Sequence, residues 1–136
     1  MTGLKALNCY DTPLYARDLQ LFSKMNSLLY LNVAFSAVTG DDVLKSAPLA
    51  GLNCLDLTYV TDAKKVIPKL SQLPRLRQVL LIATKLRDED LVDVGKAQQL
   101  KNLNISWNSI KDEGVAHLTN LKKLESPGPY ANPCHA

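Results

Sequence analysis

Leucine recurs every 24 residues along almost the whole chain. Steps of 24 taken in either direction from Leu100 land only on leucines. The six positions are Leu4, Leu28, Leu52, Leu76, Leu100 and Leu124. A fixed period of about 20 to 50 residues is typical of stacked-repeat proteins, in which one repeat cannot bury its apolar face alone. The period therefore predicts a solenoid of five complete coils, with a partial sixth beginning at Leu124.

Each repeat begins with a pattern that predicts a short strand. The most regular repeat, residues 100–124, has the form LxxLxLxxNxI. The fourth positions are Leu7, Leu31, Leu55, Val79 and Leu103, and the sixth positions are Cys9, Val33, Leu57, Leu81 and Ile105. Because side chains alternate between the two faces of a strand, both positions should point into a core. Strands of successive coils should then pair in one parallel sheet.

A turn and a helix should follow each strand. The ninth positions are Thr12, Ser36, Val60, Thr84 and Asn108. A short polar side chain there can bond the backbone groups that a turn leaves unpaired, and Asn does this best. Acidic residues such as Asp112 then suit the positive end of a helix. Helical spacing predicts a buried stripe that in the fifth coil comprises Val115, Leu118 and Leu121.

The third coil departs from the pattern of apolar and polar positions that the other coils share. Asp62 falls at the eleventh position, which is apolar in the other coils. The segment 60–63 fits better as the turn between strand and helix, placed two residues earlier than in the other coils. We therefore expect a tighter corner and a longer, distorted helix, with Pro68 in or just after its first turns.

The pattern resembles the leucine-rich repeat family over about residues 4–126. The 24-residue period, with Asp-Glu-Gly opening the fifth helix, is similar to the GALA and cysteine-containing repeats of the F-box and ribonuclease-inhibitor kind. The resemblance implies an α/β fold, a curved solenoid segment with its parallel sheet on the concave face and its helices on the convex face. It implies binding of other macromolecules on the concave sheet, and it brings no catalytic residue.

Two segments make up the predicted organisation of the chain. Residues 1–126 form the repeat domain, with no visible N-terminal cap, and residues 127–136 form a proline-rich tail. The tail could cap the last coil, with Tyr130 covering its apolar end, or could be a frayed terminus, and both alternatives stay open.

Composition excludes several classes of protein. Hydrophobic residues make up 46% and charged residues 21% of the 136-residue chain, which is typical of globular proteins. A net charge of +3 is too small to indicate nucleic-acid binding. No apolar run approaches the roughly 18 residues of a membrane helix, and the N-terminus lacks a signal-peptide pattern. We therefore predict an intracellular chain, cytoplasmic by default.

The cysteine and histidine residues give no pattern typical of a metal site. Cys9, Cys54 and Cys134 form no close pair, and only His117 and His135 could join them. A zinc site needs about four clustered ligands, so we predict no metal. An odd cysteine count in an intracellular protein favours reduced thiols.

Aromatic residues concentrate on the predicted concave face. The outward positions are the third, fifth, seventh and eighth of each coil. The predicted partner-binding residues there are Tyr10, Tyr30, Asn32, Phe35, Asp56, Tyr59, Ile82, Asn104 and Trp107. Exposed aromatics among Asn and Thr are typical of protein-binding patches. The alternative is that these rings only pack on neighbouring strands.

No arrangement of residues predicts catalysis or a cofactor. Ser36, Ser106 and Cys54 have no evident base beside them, and the glycines form no phosphate-binding loop. The lysines mostly fall at corners and helices, so nucleic acid is an unexpected partner. We therefore predict a non-enzymatic protein-binding module or adaptor without cofactors. The alternative is a structural subunit of a larger assembly, docked through the uncapped ends of the solenoid.

Overall fold

The structure, a computed structural model, describes residues 3–125 and consists of five stacked coils of strand, corner and helix. The strands are β1 (Ala6–Asn8), β2 (Tyr30–Asn32), β3 (Cys54–Asp56), β4 (Gln78–Leu80) and β5 (Asn102–Asn104). The α-helices are α1 (Ala16–Phe22), α2 (Gly40–Ser46), α3 (Ile67–Leu70), α4 (Leu91–Val94) and α5 (Asp112–Ala116). Short 3₁₀ segments precede α3 (Ala63–Val66) and α4 (Asp88–Asp90).

The five strands form one parallel sheet in chain order. Ala6 pairs with Tyr30, Tyr30 with Cys54, and every further pair is offset by the same 24 residues. The Glu125 N–H donates to the Lys101 carbonyl at 2.6 Å, so the ladder continues into the partial sixth coil. The predicted solenoid and its register are therefore confirmed.

The core lies between the sheet and the helices. The leading leucines of the second to fifth coils are fully buried. Core positions at the ends of the stack, such as Leu4 and Leu103, are only partly buried because they have a neighbouring coil on one side. Burial is thus continuous along the stack and weakens at both ends, as expected for a solenoid.

One predicted core residue is exposed. The side chain of Val115 is 52% exposed, so its assignment to the buried stripe is wrong. In α5 the buried residue is Gly114, where an added Cβ would lie 3.0 Å from the Cα of Asp88. The close approach of the preceding corner therefore takes the position that a valine side chain would fill, and Val115 belongs to the last helix of the described residues.

Short polar side chains at the ninth position bond the turn, as predicted. Ser36 Oγ donates to the Val33 carbonyl at 2.6 Å, and Thr84 Oγ1 donates to the Leu81 carbonyl at 2.8 Å. The predicted distortion of the third coil is confirmed, because Asp62 has a φ of 55° and the helical segment divides into a 3₁₀ turn and α3. The predicted longer helix is not found, because α3 has four residues whereas α1 and α2 have seven each. The similar division in the fourth coil was not expected.

Among residues 3–125, no helix is both long enough and apolar enough to cross a membrane.

Candidate functional site

The eighth position of every coil has a left-handed backbone. Asp11, Phe35, Tyr59, Ala83 and Trp107 have φ angles between 50° and 61°. This conformation costs a residue other than glycine about 1–2 kcal/mol, and glycine would be favoured there. No coil uses glycine, and three of the five coils place an aromatic residue there.

Hydrogen bonds between coils hold these residues in place. The Phe35 N–H donates to the Thr58 carbonyl at 3.0 Å, and the Tyr59 N–H donates to the Ile82 carbonyl at 3.0 Å. The eighth position therefore continues the backbone ladder beyond the end of each of the first four strands. The left-handed backbone conformation is therefore a feature of the repeat, and the side chain projects from a hydrogen-bonded backbone.

Three aromatic rings form a continuous contact series on this edge of the sheet. Tyr10 meets Phe35 edge to face, with ring centroids 5.3 Å apart, and Phe35 stacks on Tyr59 with centroids 4.6 Å apart. All three side chains stay exposed. We define the aromatic row as Tyr10, Phe35, Tyr59 and Trp107. The rings thus pack on one another, as the alternative interpretation expected, and still present a surface to solvent.

A gap interrupts the aromatic row at Ala83. A cavity of about 470 Å³ lies there between Tyr59 and Trp107, with Lys85 and Arg87 among its lining residues. The Trp107 side chain is 88% exposed. Alanine is the smallest side chain in this series, so the gap could admit a side chain of a partner. The two cations beside the gap were not among the residues predicted to bind.

The polar residues at the fifth position hold the turns. Asn32 Oδ1 accepts from the Ala34 N–H at 2.9 Å, Asp56 Oδ1 accepts from the Thr58 N–H at 2.9 Å, and Asn104 Oδ1 accepts from the Ser106 N–H at 3.0 Å. Asn32 and Asp56 are buried, whereas Asn104 is half-buried. The spacing of an Asn or Asp two residues before a turn N–H is visible in sequence and indicates this structural role.

The other two predicted residues, Tyr30 and Ile82, are not part of the series of ring contacts. Tyr30 lines a separate depression with Arg75 and Arg77 at the beginning of the strands. Ile82 packs against Cys54 and Leu80 in a small apolar cluster. We call these three residues the Cys54 patch. The structure therefore brings three of the nine predicted binding residues, Tyr10, Phe35 and Tyr59, into contact and places Trp107 across the gap from them.

The cysteines behave differently from one another. Cys54 is 1% exposed and disulfide-bonded, whereas Cys9 is a free, buried cysteine. The expectation of reduced thiols is therefore wrong for Cys54 and confirmed for Cys9. Burial raises the pKa of the Cys9 thiol, and a hydrogen bond with Thr12 partly offsets this effect. A raised pKa reduces the thiolate population and hence the reactivity of Cys9.

The described part of the chain holds no cluster of three or more His, Cys, Asp or Glu side chains that could bind a metal ion. His117 is an exposed residue at the end of α5.

Comparison with solved structures supports the fold. The chain is similar to the crystal structure of an internalin from Listeria monocytogenes, with a TM-score of 0.70 and 23% sequence identity over 97% of this chain. The chain spans 36% of the length of that internalin chain. No family model matches the sequence. No curated protein matches it either. The five-stranded parallel sheet with its 24-residue register and this likeness establish a short leucine-rich-repeat solenoid.

Proposed function

We propose that this domain is a non-enzymatic protein-binding module that uses the aromatic row to hold a partner. The observation that carries the proposal is the presence of Phe35, Tyr59 and Trp107 at left-handed positions where glycine would be more stable. Side chains kept at a cost in stability support a role in function.

The chemistry of the aromatic row suits protein recognition. Tyrosine and tryptophan are enriched among residues that dominate binding energy. The rings project from a hydrogen-bonded sheet and contact each other, so binding costs little ordering entropy. A partner side chain would enter the gap at Ala83, where Lys85 and Arg87 favour an acidic segment of the partner.

The predicted binding residues then divide by role. Tyr10, Phe35, Tyr59 and Trp107 supply the anchors. Tyr30, Ile82 and Asn104 would contribute at the edge of the interface. The buried side chains of Asn32 and Asp56 would act indirectly, by holding the turns that precede the aromatic residues.

A structural subunit of a larger assembly is the second candidate. Its support is apolar surface at the last described coil, where Val115 is 52% and Leu124 is 37% exposed. A further coil supplied by another chain could cover this end. The division into a repeat domain of residues 1–126 and a tail of residues 127–136 is kept as a proposal, as is the likeness to the GALA and cysteine-containing subclass. The prediction that the tail caps the last coil lies outside the described residues.

The cellular location also stays a proposal. The sequence favours an intracellular, cytoplasmic chain. The disulfide at Cys54 instead favours an oxidising compartment, because cytosolic thiols are normally kept reduced.

Partner recovery from an extract of the source organism tests the first candidate. The wild-type domain, the double variant Phe35→Ala/Trp107→Ala and the convex-face control Leu21→Ala/Val92→Ala would be compared as baits, because all four side chains are exposed. We expect the double variant to lose specific partners by about tenfold or more, consistent with anchors worth at least 1.4 kcal/mol. The control should recover them at the wild-type level.

The same baits distinguish the two candidates. The adaptor proposal would be contradicted if Phe35→Ala/Trp107→Ala recovered partners as the wild type does and Val115→Asp/Leu124→Asp did not. That result would support docking through the end of the stack. Gel filtration of the chain in extract and in purified form would show whether it belongs to a stable large complex.

A further inference from the structure

We propose that the gap in the aromatic row receives a planar aromatic ring of the partner protein, which stacks between Tyr59 and Trp107 while acidic residues beside it pair with Lys85 and Arg87. The inference rests on the proposed function, which places a partner on the aromatic row, and it names the chemistry of the side chain that enters the gap. The occupant is a segment in which phenylalanine, tyrosine or tryptophan is flanked by aspartate or glutamate.

The gap has the width of one stacked ring. The Tyr59 N–H donates to the Ile82 carbonyl and the Ala83 N–H donates to the Ser106 carbonyl, both at 3.0 Å, so the eighth positions keep the spacing of the strands. Two spacings of about 4.8 Å place the eighth positions of the third and fifth coils about 10 Å apart. A ring midway between them would lie about 5 Å from the ring on either side, which is within the range of aromatic pairs.

The aromatic row already contains a contact of this kind. Phe35 and Tyr59 occupy neighbouring eighth positions, and their ring centroids are 4.6 Å apart. Ala83 has the same left-handed backbone, with a φ of 52° against 56° for Phe35, so its Cβ lies where the aromatic side chains of other coils begin. A partner ring above Ala83 would therefore continue the stack that the chain's own side chain leaves open.

Both walls of the gap are available to a partner. The side chains of Tyr59 and Trp107 are 58% and 88% exposed. Within residues 3–125, Trp107 contacts no other aromatic ring. A ring in the gap would cover one face of each side chain, so it gains two aromatic contacts at once.

Two cations beside the gap have no ion-pair partner in the described part of the chain. Lys85 and Arg87 line the cavity and are exposed. The ion pairs among residues 3–125 use other lysines, namely Lys45, Lys65 and Lys96. Of these described residues, the ones that line the cavity include no aspartate or glutamate. The charge of the gap is therefore complementary to an acidic segment.

A single-stranded nucleic acid fits this surface less well than a protein segment. Its bases could stack on the aromatic row, but its phosphates would need cations along the whole row. The exposed Asp11 occupies the eighth position of the first coil, and Asp62 lines the depression on the other side of Ala83. These carboxylates would repel phosphates, whereas one short acidic segment needs only the two cations at the gap.

Filling the gap from within tests the inference. Ala83→Phe would place a ring in the gap, because the eighth position already accepts Phe35 with the same backbone. The matched control Asp11→Phe adds a ring at a left-handed eighth position and leaves the gap open. In partner recovery from extract, we expect Ala83→Phe to lose specific partners by about tenfold or more and Asp11→Phe to retain them.

The outcomes distinguish this inference from the proposed function. If Ala83→Phe recovered the partners that Phe35→Ala/Trp107→Ala loses, the aromatic row would bind the partner but the gap would hold no ring. The inference would then fail and the proposed function would stand. If Phe35→Ala/Trp107→Ala also recovered partners as the wild type does, both would fail.

A second measurement uses the wild-type chain and so does not depend on the folding of Ala83→Phe. Trp107 is the one tryptophan of the chain, so its fluorescence reports on the gap. The probes are a short peptide with a central phenylalanine between two Asp-Glu pairs and the same peptide with leucine at the centre. We expect the phenylalanine peptide to shift the emission to shorter wavelength as it covers the indole, and the leucine peptide to bind about tenfold more weakly.

Charge reversal tests the two cations with the same probe. Lys85→Glu/Arg87→Glu should weaken binding of the phenylalanine peptide by about tenfold, whereas the exposed control Lys122→Glu/Lys123→Glu should not change it. An equal response to the phenylalanine and leucine peptides, including no response to either, would overturn the inference. Tighter binding of oligothymidine than of the phenylalanine peptide would also overturn it and would indicate a nucleic-acid partner.

Discussion

The ring of Phe35 stacks on the ring of Tyr59 with a centroid separation of 4.6 Å and an interplanar angle of 22°. The two residues are 24 positions apart and belong to neighbouring coils. The contact arises because both residues occupy the eighth position, where the left-handed backbone directs equivalent side chains to equivalent points. The repeat period therefore sets the spacing of a surface as well as that of the core.

The Phe35–Tyr59 stack should contribute measurable stability. In a double-mutant cycle with Phe35→Ala and Tyr59→Ala, we expect a coupling free energy of unfolding of about 0.5–1.5 kcal/mol. Urea unfolding monitored by circular dichroism measures it. The matched cycle of Phe35 with Trp107 should give a coupling near zero, since these residues are three coils apart in the stack. Equal couplings in the two cycles would argue against a specific stack.

Glycine should stabilise the left-handed eighth position. Ala83 has a φ of 52°, so Ala83→Gly should raise the free energy of unfolding, by up to about 1 kcal/mol after the entropy cost of glycine is subtracted. Ala50 is exposed and has no positive φ, so Ala50→Gly should lower it by about 0.5–1 kcal/mol. If Ala83→Gly and Ala50→Gly both lowered the free energy of unfolding, the eighth position would not be strained.

Asn108 should be the most costly polar side chain of the turns to remove. Its Oδ1 accepts from the Thr84 and Leu86 N–H groups at 3.0 and 2.9 Å, and its Nδ2 donates to the Leu81 and Ile105 carbonyls at 2.7 and 2.8 Å. Asn108→Ala removes bonds to two coils, leaves the Thr84 and Leu86 N–H groups without their acceptor, and should cost about 2–4 kcal/mol.

The control for Asn108 is Ser36, which occupies the same repeat position and whose side chain makes one hydrogen bond. Ser36 donates one hydrogen bond within its own coil, so Ser36→Ala should cost about 1 kcal/mol. Both values come from chemical denaturation. A cost for Asn108→Ala no larger than that for Ser36→Ala would mean that the bonds between coils add nothing.

Gly40 should not tolerate a side chain. A Cβ at this position would lie 2.0 Å from the backbone carbonyl oxygen of Asp62, at the corner of the next coil. Gly40→Ala must therefore move two coils apart, and we expect a loss of about 1–3 kcal/mol in the free energy of unfolding. Thermal or urea unfolding tests this expectation.

Gly51 provides the matched control for Gly40. Its nearest contact for an added Cβ is the Leu28 carbonyl oxygen at 3.4 Å, which is ordinary packing distance. Gly51→Ala should be neutral or slightly stabilising, because alanine reduces the entropy of the unfolded chain. Similar losses for the two variants would show that the contact with Asp62 is not the cause.

The sequence by itself determined the solenoid, its register and most of its core. Alternation of side chains along a strand and a period of 24 residues require that Leu7, Leu31 and Leu55 face inward together. The polar ninth position and the irregular corner at Asp62 were also predictable, because both follow from the local demands of a turn.

Only the tertiary structure decided which outward residues form a surface. The left-handed conformation of Phe35 is accompanied by a hydrogen bond to the next coil, and the exposure of Val115 follows from the approach of the preceding corner. A repeat pattern states which face a residue occupies. The backbone conformation and the exposure of a residue on that face depend on contacts with neighbouring coils, which the sequence of one strand does not contain.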